Sequence, residues 1–103
     1  MFENEQVTVK GIVTKVQYGN PHVYVFLDME MDGRPQPFRL EAGSPSALRE
    51  LGWTSKVLQH GDRVSVTFSK ARDGTNVGLL RQLMKADGTV LPAGSGGQGR
   101  GAE

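Results

Sequence analysis

The stretch that decides the fold is residues 23–42, Val23-Tyr24-Val25-Phe26-Leu27-Asp28-Met29-Glu30-Met31-Asp32-Gly33-Arg34-Pro35-Gln36-Pro37-Phe38-Arg39-Leu40-Glu41-Ala42. Val23, Val25, Leu27 and Met29 alternate with Tyr24, Phe26, Asp28 and Glu30, the period of a strand with one buried face. Asp32-Gly33 suits the positive φ angles of a two-residue hairpin turn. With that turn, Leu27 faces Phe38, Val25 faces Leu40 and Val23 faces Ala42, six apolar residues on one face. A slip of one residue would destroy the agreement, so the register is tightly specified. On the opposite face the same register sets Phe26 against Arg39 and Tyr24 against Glu41. Pro35 and Pro37 have no N–H to donate, so the returning strand is expected to begin with a free edge.

Upstream of the hairpin, Val7 and Val9 alternate with Thr8 and Lys10, and the pattern loses phase around Gly11 before Ile12, Val13 and Val16. A glycine inside a strand often marks a bulge or bend, so a long first strand bent at Gly11 is expected, ending at the turn Tyr18-Gly19-Asn20-Pro21. Downstream, Ser44 reads as an N-cap, Pro45 as a first helical residue and Gly52 as a stop, with Ala47, Leu48 and Leu51 forming a short apolar stripe. Thr54 is expected to cap a second helical turn through Leu58, and His60-Gly61-Asp62 turns the chain. Val64, Val66 and Phe68 mark a fourth strand. Arg72 to Asn76 is a turn, and Val77 to Lys85 a fifth strand whose register stays open, because Leu79 and Leu83 point one way and Leu80 and Met84 the other. Ala86-Asp87-Gly88 turns again, and Thr89 to Leu91 is a short extension.

Three strands, a short helix and two more strands is the order of an OB-fold. The expected class is therefore all-β with one short helix: a small five-stranded OB-like barrel over residues 1–91, the helix lying between strands three and four. A six-stranded roll or an SH3-like barrel is the alternative arrangement. From Pro92 to Glu103 five of twelve residues are glycine and only alanine adds apolar side chains, so this segment is expected to be a flexible tail.

The chain has 103 residues, enough for one domain with a modest core. It has no cysteine, which excludes disulfides. Lys and Arg number 12 against 11 Asp and Glu, a net charge of +1. That balance disfavours a large basic footprint for nucleic acid. No apolar run is long enough to span a membrane, so no membrane insertion is expected. Met1 to Gln6 is short, polar and acidic, unlike a signal peptide. The expectation is a cytoplasmic protein, or a mature chain from which an export signal has been removed.

Several motifs suggest chemistry and are explained by structure. Gly94-Ser95-Gly96-Gly97-Gln98-Gly99 matches G-x-G-x-x-G, but that fingerprint needs a strand before it and a helix after it. Asp28 to Gly33 resembles the start of an EF-hand loop, yet Arg39 stands where the bidentate Glu is required. No G-x-S-x-G elbow is present, Ser44 is accounted for as a cap, and no nucleophile, base and orienting group assemble, so no catalytic residue and no cofactor are expected. His22 and His60 each flank a turn. With no cysteine and no third histidine they make at most an alternative site for a transition metal. The outer face of strands two and three holds more: Tyr24, Phe26 and Arg39 give two rings and a guanidinium, able to stack a flat ligand on the surface that OB-folds use for binding. The same residues also serve simply to pair strands.

Taken together, Gly11-x-Val13 with Val16, Asn20-Pro21-His22, Gly43-Ser44-Pro45 with Leu48, Gly52-Trp53, Gly61-Asp62 with Val64, and Asp73-Gly74 with Asn76 resemble a family of small bacterial exported domains of unknown function. The resemblance covers roughly residues 7–91 and carries over no activity. It implies a periplasmic setting and importance for Asn20, Pro21, His22, Ser44, Pro45 and Trp53. The expectation is a non-enzymatic binding module for a small molecule or protein. It would use the outer β-face or a pocket near His22 and Trp53, with Asn20, His22, Tyr24, Phe26, Arg39 and Trp53 as ligand contacts. The alternatives are a metal site at His22 and His60, and a single-stranded nucleic-acid-binding OB domain.

Overall fold

The computed structural model describes residues 2–94. Its elements are β1 Val7–Gln17, β2 Tyr24–Met31, β3 Arg34–Glu41, α1 Pro45–Glu50, β4 Arg63–Lys70, β5 Val77–Lys85 and β6 Val90–Pro92. The strands lie in the order β3-β2-β1-β4-β5-β6, and β3 pairs again, in parallel, with β5. That pairing closes β1 to β5 into a five-stranded barrel with α1 between β3 and β4, the OB arrangement. β6 is added outside it on β5.

The β2–β3 hairpin has the expected register: Leu27 faces Phe38, Val25 faces Leu40, Phe26 faces Arg39 and Tyr24 faces Glu41. Asp32 and Gly33 have φ of 55° and 79°, as a two-residue turn of this hand requires. The ladder runs on past the strand ends, where the Ala42 N–H donates to the Val23 carbonyl at 2.7 Å. Val23, Val25, Leu27, Phe38, Leu40 and Ala42 are all buried in one core cluster with Val66, Phe68, Leu80 and Leu83. Burying each large aliphatic or aromatic side chain contributes about 1.5–3 kcal/mol before entropy is set against it.

The bend in β1 lies three residues beyond the expected place. Register shifts between Val13 and Lys15, so Thr14, not Gly11, is the extra residue. The bulge exchanges the faces: Gly11 and Val13 are buried before it, Val16 packs on the core after it, and Lys15 and Gln17 point out. Gly11 is required for another reason, since a Cβ there would sit 2.7 Å from the Asp28 carbonyl oxygen. A second bulge resolves β5. Thr67 pairs with Gln82 and Phe68 with Leu80, leaving Arg81 extra, so Leu80 and Leu83 are both buried while Leu79 and Met84 face out.

The helix is capped as its sequence indicates: the Ala47 N–H donates to Ser44 Oγ at 3.2 Å, Pro45 opens the helix, and Gly52 follows it at φ 101°. Thr54 caps a single hydrogen-bonded turn, the Lys56 N–H donating to its Oγ1 at 3.3 Å and the Val57 N–H to its carbonyl at 3.1 Å. Pro92 and Ala93, expected to start a flexible tail, are part of the fold. Pro92 closes β6, its carbonyl accepts the Trp53 indole N–H at 2.8 Å, and Ala93 is fully buried. The G-x-G-x-x-G segment from Ser95 onward lies outside the described residues.

Candidate functional site

Strand alternation and the two bulges together build the outer face of the barrel. Arg39 pairs with Phe26 on one side and Val77 on the other, and Phe26 pairs with Lys15. One row across four strands therefore reads Val77, Arg39, Phe26, Lys15. The next row reads Leu79, Glu41, Tyr24, Gln17 by the same pairings. The rings of Tyr24 and Phe26 are half-buried beneath long neighbours. The Arg39 guanidinium stacks over Tyr24, its Cζ 5.2 Å from the ring centroid, and Lys15 Nζ lies 5.4 Å from the centroid of Phe26. Such contacts at exposed sites contribute about 0.5–1 kcal/mol and hold the cations on the rings.

His22 closes one end of this face. Its Nδ1 lies 2.7 Å from Glu41 Oε2. Beside the pair is a hollow of about 540 Å³, lined by Phe2, His22, Glu41, Ser44 and Leu79 among others. Asn20 stands exposed in the bend before it, and the Asn20–Pro21 peptide is cis. Of the expected ligand contacts, Tyr24, Phe26, Arg39 and His22 thus share one continuous surface with Glu41.

Trp53 does not belong to that surface. It is 1% exposed, its one polar group is spent on Pro92, and it does not line the hollow at His22. The expected pocket formed jointly by His22 and Trp53 is therefore corrected: Trp53 is a core residue. His60 is exposed in the turn before β4. Among the described residues no group of three or more His, Cys, Asp or Glu side chains converges as a metal site would require. Asp28 to Gly33 is hairpin, ending in the tight turn at Asp32-Gly33.

Sequence reasoning missed Lys15 and Leu79, whose outward placement depends on the bulges at Thr14 and Arg81. It also missed a second concavity, about 680 Å³, lined by Lys10, Ile12, Asp28, Glu30, Arg63 and Met84 among others. Ile12 and Met84 are 40% and 42% exposed there.

A closed five-stranded OB-type barrel with one short helix defines the fold class. The chain belongs to a family of unknown function (DUF6152), whose model matches residues 1–82. No curated protein and no solved structure matches it. No helix among the described residues is long and apolar enough to cross a membrane.

Proposed function

We propose that this chain is a non-enzymatic binding module whose ligand docks on the outer face of β2 and β3, over Tyr24, Phe26 and Arg39, and extends toward the hollow at His22. The observation that carries the proposal is the row-by-row placement of two rings, each with a cation seated on it, on an otherwise half-exposed sheet. Strand pairing alone needs aromatic or β-branched neighbours. It does not need two long cations held over rings with no carboxylate partner among the described residues. OB-folds bind on this face because neighbouring loops wall it, and here residues 18–22 and 71–76 flank it. The hydrogen bond from Asn76 Nδ2 to the Pro37 carbonyl, 3.0 Å, fixes the second of these loops beside β3. The periplasmic setting implied by the family resemblance is part of the same proposal. The test is native mass spectrometry of the protein purified without denaturation, alone and as Tyr24→Ala. A co-purifying small molecule lost in the variant supports the reading. A molecule retained in full by Tyr24→Ala and by Phe26→Ala contradicts it.

A further inference from the structure

We infer that the face takes a flat dianion: a planar molecule carrying two anionic groups roughly 10 Å apart, the span of two strand spacings. This deepens the binding-face reading and rests on it. Lys15 and Arg39 stand on either side of Phe26 in one row, each Cα-paired with it. They are separated by those two strand spacings and each leans over a ring.

The charges around them decide the sign of the ligand. The carboxylates nearest in register are Glu41 and Asp28. Glu41 Oε2 lies 2.7 Å from His22 Nδ1, the one contact of this kind between a basic and an acidic side chain among the described residues. Asp28 lies on the same face as Phe26, two residues further along β2; it pairs across to Ile12 and Pro37, lines the concavity beyond, and makes no ion pair with Lys15 or Arg39. Among the described residues Lys15 and Arg39 thus have no anionic partner within ion-pair distance and lie against rings instead. Arg39 presents a planar fork of donors matched to a carboxylate, sulfonate or phosphate, and Lys15 presents a point charge. Between them lies the face of Phe26. A flat body fits that gap once the ligand's anionic group draws Nζ off the ring. A cationic ligand would meet two like charges, and a neutral one would leave both cations unpaired.

The probe is biphenyl-4,4′-dicarboxylate, titrated by calorimetry and by backbone amide NMR at low and moderate salt. The comparisons are biphenyl-4-carboxylate, indole and an eight-nucleotide oligo(dT). The expected result is binding of the dicarboxylate at least about tenfold tighter than the monocarboxylate, as a second charge-assisted contact provides. Affinity should fall with salt, and by a similar factor in Arg39→Met and in Lys15→Met. Both substitutions keep the aliphatic stem over the ring, so the fold is retained, and the amide spectrum checks that directly. Equal affinity for the mono- and dicarboxylate overturns the inference, as does affinity unmoved by Arg39→Met. Should indole shift the amides of Tyr24 and Phe26 as strongly as the dicarboxylate does, the face reading stands and the dianion is wrong. Shifts confined to other residues for every probe reject both. Tighter binding of oligo(dT) on the same amides overturns the small dianion in favour of nucleic acid.

Discussion

Trp53 donates its indole N–H to the carbonyl of Pro92 at 2.8 Å, tying the segment after the helix to the strand that follows the barrel. The contact spans 39 positions of sequence and fastens β6 in addition to its short ladder to β5, the bond from the Gly43 N–H to the Ala93 carbonyl and the burial of Leu91. Trp53→Phe keeps most of the apolar area but leaves that carbonyl without its donor, and should cost about 1–2 kcal/mol. Trp53→Ala should cost about 3–5 kcal/mol. Chemical denaturation of both variants checks the order. A chain ended at Leu91 should be less stable than one ended at Gly94, because it loses both the Pro92 carbonyl and the buried Ala93.

Gly78 and Gly19 provide a matched pair. A Cβ at Gly78 would meet Phe68 Cδ2 at 2.7 Å and the Ser69 carbonyl at 2.9 Å, whereas one at Gly19 would meet nothing within 4 Å. Gly78→Ala should therefore destabilise by about 1–3 kcal/mol through overpacking. Gly19→Ala should be neutral or stabilising by up to about 1 kcal/mol through the unfolded chain. Urea midpoints of the two variants against the parent decide it.

The free edge of β3 is guarded by its prolines. The Arg39 N–H points away from β2, donating to the Asn76 carbonyl at 3.1 Å. Backbone groups alternate sides along a strand, so positions 35 and 37 face the same open edge. Proline at both leaves no donor there, and Asn76 Nδ2 occupies the Pro37 carbonyl. Pro35→Val with Pro37→Val restores two donors to an exposed edge and should raise concentration-dependent association. Light scattering over a concentration series reads the effect, and a doubly substituted chain that stays monomeric at high concentration contradicts it.

The two Asp turns make a pH prediction. Asp73 is held below its usual value of 3.8 mainly by the Thr75 hydroxyl and then the Thr75 N–H. Asp87 is lowered first by the Thr89 N–H and then by the Thr89 side chain. A carboxylate with a depressed folded pKa contributes stability above the unfolded value, and that contribution is lost as pH falls through the folded one. Both groups should titrate below 3.8 by NMR. Thr75→Val should move Asp73 back upward and leave Asp87 unchanged.

The hairpin of β2 and β3 was legible because turn chemistry and six apolar positions agreed on one register, and the outer pairing of Phe26 with Arg39 came with it. β5 was not legible: Leu79, Leu80, Leu83 and Met84 are all apolar, and only the bulge at Arg81 decides which two are buried. The sequence points to a bend at Gly11 because glycine marks both bulges and close approaches, and here it marks the approach to Asp28. Trp53 carried no local sign of being core, since its partners arrive from β6 far along the chain. For the site, the outer residues of β2 and β3 could be read, while the outward placement of Lys15 and Leu79 depends on the two bulges, and the seating of Lys15 on Phe26 and of His22 on Glu41 on side-chain reach between elements.

The binding-face reading turns on where a ligand docks. A backbone amide shift map over a set of small flat probes, charged and neutral, measures that. The predicted result is a contiguous set of moved amides at Lys15, Tyr24, Phe26, Arg39, Glu41 and Leu79, abolished in Tyr24→Ala. Shifts gathered instead around Ile12, Arg63 and Met84, with the outer face of β2 and β3 unmoved, would contradict it.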